Sequence, residues 1–418
     1  MEPGLQQNFA ISRQYRKDNM ALEKLKFYLF ALLFLLPAYL AWGETITDIE
    51  IQGLRRTKPA VMQEMLEKFK GIDSESFDKK KLEAELEQTQ LFSLTDATVS
   101  GSTLYIIVEE KFALLPVPFA YAASDSWGGG LVVMDNNAFG LMDQAVAGGF
   151  ITSSGWRALV GYSHIQKAHS PFGWNVSANG GQSKTRVRDD DGDLLLSYDN
   201  STFSVAAGLN RRLSPWLRAS VSSGVDICDV DGHSPASELV IPVTASMTAS
   251  TASWDGTFLN TIYLTASATY NFSQWHSDNF CTLAVKAGYQ QHLVQRLRLI
   301  AQGGAFHSPD VPVVFAKNQN SAQVCVLNNA YRASSMAGIG AGLEYGIANT
   351  RWGMPSLYAQ YQAVWADGVM TDEIFGHGPV AGFKFYLKKI AFPAVDIFAS
   401  YNVKTGLFRT SAGAGFSY

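Results

Sequence analysis

The residue types that could carry catalysis or bind a metal are scattered along this 418-residue chain. Its seven histidines form no H-E-x-x-H motif, and no G-x-S-x-G occurs. The acidic run 188–193 resembles a calcium loop, but it lacks the alternating ligands and the distal glutamate of an EF-hand, which favours a solvated loop tip. Cys228, Cys281 and Cys325 form no C-x-x-C motif, and in an exported protein any two of them could pair. We therefore expect no enzyme, no metal site and no cofactor.

Composition argues against two function classes and favours a third. The formal net charge is only −4, so no strong field would attract nucleic acid or an acidic substrate. Charged residues make up 17% of the chain, below the usual quarter, whereas glycines number 36 and aromatic residues reach 12%. This combination is more typical of a barrel with a lipid-facing surface than of a soluble enzyme.

The N-terminal residues 1–43 predict export. Two lysines precede the apolar run 27–42, and the small residues Ala41 and Gly43 stand at an A-x-A-like cleavage site. The run is interrupted by Pro37 and is shorter than the roughly 20 residues that a transmembrane helix needs. A cleaved secretory signal is therefore favoured over a membrane anchor, with Met20 as an alternative start.

Residues 44–111 predict a small α/β domain with the element order β-α-α-β-β. The stretch ITDIEIQG (46–53) alternates as a strand, and Pro59 suits the first turn of a following helix. A second helix is predicted after Ser76, and two short strands follow around 97–100 and 104–108.

Residues 112–418 predict β-strands, because apolar and polar residues alternate there with a period of two. The glycines of 338–346 share this period, which is typical of a strand face rather than a phosphate-binding turn. About sixteen segments occur, each about ten residues long with aromatic residues toward the ends, as in tilted transmembrane strands. A soluble sandwich would bury Val, Ile and Leu, whereas many outward positions here are Ala, Tyr or Phe. The predicted fold class is therefore a small α/β domain followed by an antiparallel transmembrane β-barrel of about 16 strands.

The count of sixteen also predicts where the long connections lie. With the N-terminal domain in the periplasm, the connections from odd to even strands face the opposite side, and those should be the long ones. The four predicted long connections all fall there: 185–201, 229–239, 307–335 and 366–378.

This organisation resembles the POTRA-plus-barrel superfamily of outer-membrane assembly and translocation proteins, the BamA/TamA type. ITDIEIQGLRRTKPAVM (46–62) resembles the opening of a POTRA domain, and this chain has one such domain. MDNNAFGLMDQ resembles the family's turn between the second and third barrel strands, with Asn137, Phe139 and Gly140 as its motif residues on the periplasmic side. LEYGI and AVWADG resemble its twelfth and thirteenth strands. The chain end GAGFSY resembles its aromatic barrel signal, and its motif residues are Phe416 and Tyr418.

The resemblance also implies a pair of charges in the barrel lumen. The family's long loop before strand twelve carries a hydrophobic-Arg-Gly-aromatic motif that folds inward. The best match here is Tyr-Arg-Ala-Ser around Arg332, which keeps the arginine but has neither the glycine nor the aromatic residue. Asp367 is the expected partner of Arg332, and Glu344 is the alternative partner. A solvated external position of Arg332 remains the competing interpretation.

The first predicted barrel strand, 112–122, points to a weak junction. Pro116 and Pro118 lie two residues apart, so the donors that they lack would have pointed toward the same edge. In the alternative interpretation, both prolines belong to the linker from the POTRA domain. The facing strand, sixteen, is predicted to contain three flexible glycines. The glycines are Gly406, Gly413 and Gly415.

The resemblance implies an outer-membrane insertase or translocation factor that templates strands at the barrel seam. Its partners would be unfolded outer-membrane or exported proteins, outer-membrane lipids and accessory lipoproteins, and its location the bacterial outer membrane. Clients are expected to dock on a free sheet edge of the POTRA domain, at TLYIIV (103–108). The alternative is a diffusion pore or an export channel for one dedicated partner. An outer-membrane hydrolase would need a nucleophile–base set, which the sequence does not offer.

Overall fold

A computed structural model describes residues 44–89, 91–123, 126–165, 171–189, 191–232, 234–254, 259–387 and 393–414. The predicted signal 1–43 and the predicted site residues Gly415, Phe416 and Tyr418 lie outside these ranges. The described backbone divides into two compact units: residues 44–54 with 65–110, and residues 55–64 with 111–414. No helix among the described residues is long and apolar enough to cross a membrane.

The first unit is built around a three-stranded sheet, and across residues 44–110 the helices and strands follow the predicted order, with most of the first helix assigned to the second unit. They are β1 (Asp48–Gln52), α1 (Pro59–Leu66), α2 (Lys79–Gln88), β2 (Phe92–Ser100) and β3 (Thr103–Glu110). Pro59 opens α1, as predicted. The carboxylate of Asp78 caps α2 by accepting from the backbone N–H of Lys80 at 3.0 Å. Apolar residues from these elements are buried in its core, including Ile49, Leu66, Leu82, Leu86, Phe92, Leu104 and Ile106.

The sheet order β1-β3-β2 corrects the prediction of a client-docking edge. TLYIIV lies in β3, which pairs in parallel with β1 and antiparallel with β2, so both of its edges are occupied. The free edges belong to β1 and β2. Strand β2 has an irregularity between Leu94 and Asp96. There Lys79 Nζ donates to Asp96 Oδ1 at 2.7 Å, and this bond together with the Ala97 backbone N–H lowers the pKa of Asp96.

The second unit contains a closed antiparallel barrel of sixteen strands, which confirms the predicted number. Each strand pairs with the next along the chain, and the last pairs with the first. The strands are β4 (Leu114–Ala123), β5 (Trp127–Ala138), β6 (Asp143–Thr152), β7 (Gly155–His164), β8 (Gly173–Arg188), β9 (Leu194–Ser214), β10 (Leu217–Val230), β11 (Glu238–Trp254), β12 (Leu259–Ser273), β13 (Phe280–Val294), β14 (Leu297–His307), β15 (Ala333–Gly346), β16 (Gly353–Gly368), β17 (Ile374–Leu387), β18 (Pro393–Tyr401) and β19 (Phe408–Ala414).

The two faces of the barrel wall differ as the alternation predicts. Outward positions carry exposed apolar side chains, such as Ile262 and Leu264 on β12. Inward positions carry small polar side chains that bond across strands. The hydroxyls of Thr244 and Thr269 lie 2.8 Å apart, and those of Thr248 and Thr265 lie 3.0 Å apart. A period of two places one residue type on each face of a strand, so this pattern is readable from sequence alone.

Three of the four predicted long connections are short in the structure. The strands on both sides of 185–201, 229–239 and 366–378 extend into them, and β9 alone covers Leu194–Ser214. Pairing satisfies the backbone groups that a loop would leave to water, which accounts for the longer strands. Only residues 308–332, between β14 and β15, form a long connection among these four.

Candidate functional site

Residues 308–332, here called the lumen segment, fold against the inner face of the barrel. Their short 3-10 turns are Val313–Phe315 and Gln319–Ala322, and Gln323 follows with a left-handed φ of 59°. Apolar residues of the segment share a buried cluster with inward residues of the neighbouring strands. The cluster includes Ala322, Val324, Val326, Leu327 and Tyr331 from the segment, and Phe306, Met336, Tyr358, Val364, Ala366 and Val380 from the wall.

Polar side chains of the wall bind the middle of the lumen segment. Gln362 Oε1 on β16 accepts from the Cys325 backbone N–H at 2.8 Å. Ser400, Asn402 and Arg409 donate to the three successive carbonyls of 325–327 at 2.9, 3.1 and 2.6 Å. These donors lie on β18, in the following turn and on β19, so the segment is bonded to the last two strands of the barrel.

The lumen segment also reaches the opposite side of the barrel. The 3-10 turn Val313–Phe315 packs against a second buried cluster formed by Val187, Tyr198, Cys228 and Val230 on β8 to β10. The backbone N–H of Arg188 donates to the Ala330 carbonyl at 3.2 Å. The segment therefore crosses the lumen between two walls and is fixed at both.

Arg332 does not form the predicted ion pair. Its guanidinium donates to the Asn329 and Tyr331 carbonyls at 2.7 and 3.3 Å, at the end of the lumen segment. The Asp367 carboxylate instead accepts from the Ser334 hydroxyl at 3.2 Å. The Tyr-Arg-Ala-Ser match therefore lies at the end of the lumen segment, where β15 begins.

Glu344 forms a buried ion pair with Arg298, which sequence reasoning missed. The two residues are directly opposite on β14 and β15, and Arg298 Nη2 lies 2.7 Å from Glu344 Oε2. Their side chains are 5% and 0% exposed. Ser356 Oγ donates to Glu344 Oε1 at 2.5 Å, and Arg298 Nη2 also lies 2.7 Å from Tyr386 Oη. The two residues lie on different strands, and only the register of β14 with β15 brings them together.

The predicted turn motif forms a buried hydrogen-bonded corner between β5 and β6. Asn137 is 0% exposed; its Nδ2 donates to Thr57 Oγ1 at 2.7 Å, and its Oδ1 accepts from the Met142 N–H at 2.8 Å. Gly140 has a φ of +71°, and its carbonyl accepts from the Lys58 N–H at 2.9 Å. A Cβ at this glycine would lie 2.1 Å from the Arg56 carbonyl oxygen, so no other residue fits. Phe139 is exposed and also has positive φ.

The seam is the junction of β19 with β4. Among the described residues, its register runs from the pair Ala123–Ser411 to the pair Ala120–Ala414. Pro116 and Pro118 lie within β4, beyond this paired stretch, so they are not part of a linker. Gly413 pairs with Tyr121 in the seam.

Gly406 corrects one detail of the predicted seam. It lies before β19, in a turn where its N–H donates to the Asn402 carbonyl at 2.9 Å and its φ is +72°. It therefore supplies a conformation that the turn needs and does not loosen the strand itself.

The described residues offer no site for metal chemistry. No group of three or more His, Cys, Asp or Glu side chains among them could hold a metal ion. Cys228, Cys281 and Cys325 are all free thiols.

The chain is similar to solved structures of two proteins, CdiB and BamA. CdiB from Acinetobacter baumannii matches with a TM-score of 0.62 and 13% identity, over 90% of this chain and 74% of that one. CdiB from Escherichia coli matches with a TM-score of 0.63 and 12% identity, over 89% and 76%. BamA from Haemophilus ducreyi, in a structure lacking POTRA domains 1–3, matches with a TM-score of 0.58 and 10% identity, over 89% and 84%.

Sequence comparison adds no closer relative. No protein-family model matches the chain, and no curated protein sequence matches it. In each comparison the match covers at least 89% of this chain and at least 74% of the solved structure. The chain therefore has the fold of CdiB and BamA, and the resemblance predicted from its sequence is confirmed at the level of the fold.

Proposed function

We propose that this protein is a non-enzymatic assembly or translocation factor of the bacterial outer membrane, which acts on unfolded outer-membrane or exported proteins by pairing strands at its seam. The observation that carries the proposal is the position of Pro116 and Pro118 inside β4, the strand that pairs with β19 at the seam. In lipid, a client strand cannot leave its backbone donors and acceptors unpaired. A barrel edge that opens offers those groups partners and lowers the barrier to insertion.

The direction of the backbone donors in β4 supports the seam as the weak junction. The Ala123 N–H donates to the Ser126 carbonyl, and the Ala113 carbonyl accepts from Asn136, so odd-numbered residues of β4 face β5. Neighbouring residues of a strand point their backbone groups to opposite sides, so even-numbered residues face β19. The missing donors of Pro116 and Pro118 are therefore on the seam side. Each lost ladder bond weakens the junction by about 0.5–1.5 kcal/mol.

The outer surface of the barrel supports a position in a bilayer. Exposed apolar side chains such as Val205, Ile262 and Ile339 occur around its outer face, and a closed barrel leaves no unpaired edge facing lipid. In this proposal residues 44–111 are a single POTRA domain in the periplasm, residues 112–418 span the membrane, and the turn at Asn137 faces the periplasm. Residues 1–43 direct export, and accessory lipoproteins assist the process.

A reversible disulfide across the seam tests the mechanism. Ala122 and Ala412 are directly opposite on β4 and β19. In a background without the native cysteines, we expect Ala122→Cys/Ala412→Cys to abolish client assembly or export when oxidised and to restore it with reductant. A matched pair on β11 and β12, Ala245→Cys/Ala268→Cys, closes no seam and should leave function intact.

The same experiment separates the proposal from the alternative function. A diffusion pore, or an export channel for one dedicated partner, conducts through the lumen and does not need the seam to open. Full activity of the oxidised seam variant would refute strand templating and favour such a channel. In that case the lumen segment 308–332 would have to move instead, because it crosses the lumen.

A further inference from the structure

The outer face of strands β5 to β9 contains an apolar groove next to the seam strand. The cavity has a volume of about 540 Å³, within the range of small-molecule sites. Its walls are the outward residues Leu114, Val133, Val160, Val176 and Val205, and small outward residues such as Ala147 lie between them. Val160, Val176 and Val205 are exposed, so the groove opens outward and not into the lumen. We call it the outer groove.

An aromatic cluster closes one end of the outer groove. Tyr162 lines the groove, and its ring centroid lies 5.8 Å from that of Phe139 and 5.3 Å from that of Trp174. The ring of His164 stacks on Trp174 with centroids 5.8 Å apart. Aromatic residues at this position on a barrel mark the level of the membrane interface. The groove therefore runs from the interface toward the apolar belt.

The polar groups of this cluster are held beneath the rings. Asp143 is 0% exposed, and its Oδ2 accepts from the Tyr162 hydroxyl at 2.7 Å and lies 2.8 Å from His164 Nδ1. The backbone N–H of Ile165 donates to its Oδ1 at 3.3 Å. The Asp143 carboxylate therefore fixes the aromatic side chains and does not face the mouth of the groove.

Basic residues stand at the same end, within the same compact unit. Arg56 Nη2 lies 2.7 Å from Oδ2 of Asp135, which lines the groove, and the Arg56 side chain is 47% exposed. Lys58 is exposed, and its backbone N–H binds the Gly140 carbonyl, one residue from Phe139. The half-exposed guanidinium of Arg56 thus lies at this end of the groove, and Lys58 follows it by two residues in the chain.

We propose that the outer groove binds one glycerophospholipid, with an acyl chain in the groove and the phosphate at Arg56 and Lys58. The inference rests on the proposed position of the barrel in a bilayer. A polypeptide is a poor occupant, because the groove is lined mostly by Val, Leu and Ala side chains and offers few partners to backbone groups. The bound lipid would lie against Leu114, two residues from Pro116, and would buttress β4 on its outer side.

Native mass spectrometry of the full chain in detergent, titrated with phosphatidylglycerol, tests the proposal. Ala147→Leu fills the groove with an outward side chain, and Ala245→Leu makes the same change on the outer face of β11, away from the groove. We expect wild type and Ala245→Leu to retain one lipid under collisional activation. Ala147→Leu should bind it about tenfold more weakly, since nearly two methylene contacts are lost. Lys58→Gln should weaken binding of phosphatidylglycerol but not of diacylglycerol.

Equal lipid retention by the two leucine variants would overturn the site, and equal binding of diacylglycerol and phosphatidylglycerol by wild type would overturn the phosphate contact. Flotation of all variants with phospholipid vesicles distinguishes this failure from failure of the proposed function. If wild type does not float with vesicles, the bilayer location itself is wrong. If all variants float alike and only the lipid adduct is missing, the location stands and the outer groove is not a lipid site.

Discussion

Replacing Arg298 with methionine should destabilise the barrel strongly, because it leaves the Glu344 carboxylate buried without its cation. Glu344 is 0% exposed, and its Oε2 accepts from both Nε and Nη2 of Arg298, at 3.0 and 2.7 Å. Breaking such a pair from one side costs about 3–5 kcal/mol, far more than the loss of an exposed pair. The Ser356 hydroxyl still donates to Oε1, but a neutral donor does not replace a charge.

The double variant Arg298→Met/Glu344→Gln separates a buried charge from a lost contact. It contains neither charge, and the glutamine oxygen can still accept from Ser356 Oγ. We expect it to lose roughly 1–2 kcal/mol, less than either single variant, because no uncompensated charge remains. The coupling energy between the two sites is then several kcal/mol, larger than contacting residues usually show.

The measurement is the free energy of unfolding in urea, followed by tryptophan fluorescence in lipid vesicles. Arg351→Met serves as a control, since Arg351 is exposed and only covers the ring of Trp352, with its guanidinium carbon 4.6 Å from the centroid. This variant should lose at most about 1 kcal/mol. Additive effects of Arg298→Met and Glu344→Gln, or a single variant within 1 kcal/mol of wild type, would refute a desolvated ion pair.

Two further changes test the turn and the edge of the N-terminal sheet. Asn137→Ala should lower the free energy of unfolding by about 2–4 kcal/mol, because the Thr57 hydroxyl and the Met142 N–H lose a buried partner. The control Asn136→Ala should change the free energy of unfolding by less than about 1 kcal/mol. Val99→Pro should impair client cross-linking without unfolding the domain by circular dichroism. The backbone N–H of Val99 points away from β3, as does that of Ala97, which donates to the Asp96 carboxylate. Wild-type cross-linking by Val99→Pro would argue against docking on β2.

The sequence predicted those parts of the fold that depend on local periodicity. Sixteen strands were counted correctly because each has one apolar face, and the turn at Asn137 was found because its residue types follow one another in the chain. The order β1-β3-β2 was missed, since nothing in TLYIIV indicates that a distant parallel partner, Asp48–Gln52, covers its second edge. Non-local pairing of this kind leaves little trace in a single segment.

The lumen segment shows a second limit. Residues 323–327 read QVCVL and alternate like a strand, although the structure packs Val324, Val326 and Leu327 into a cluster inside the barrel. The apolar pattern indicates which residues are buried but not which surface they pack against. Arg332 was therefore expected to pair with Asp367 or Glu344 in the lumen, although its guanidinium binds carbonyls at the end of the segment. The Arg298–Glu344 pair was missed for the same reason, because it depends on the register of β14 with β15.

The bonds on the two sides of β19 decide which of its junctions opens under the proposed mechanism. Toward β18, the described register extends over seven residue pairs, from Val395–Ala414 to Tyr401–Phe408. Toward β4, the described register ends at the pair Ala120–Ala414, and the even-numbered residues just before Ala120 in β4 are Pro118 and Pro116, which have no N–H to donate. At about 0.5–1.5 kcal/mol for each ladder bond, the two missing donors weaken the β4 side by about 1–3 kcal/mol.

The lumen segment increases this difference. Arg409 on β19 donates to the Leu327 carbonyl at 2.6 Å, and Ser400 on β18 donates to that of Cys325 at 2.9 Å, so the same segment holds both strands. These bonds lie on the inner face and need not break when β19 separates from β4. Separation from β18 would instead pull one of the two strands away from the segment. Under strand templating, the client edge should therefore form between β19 and β4, with β19 still bonded to β18 and to the lumen segment.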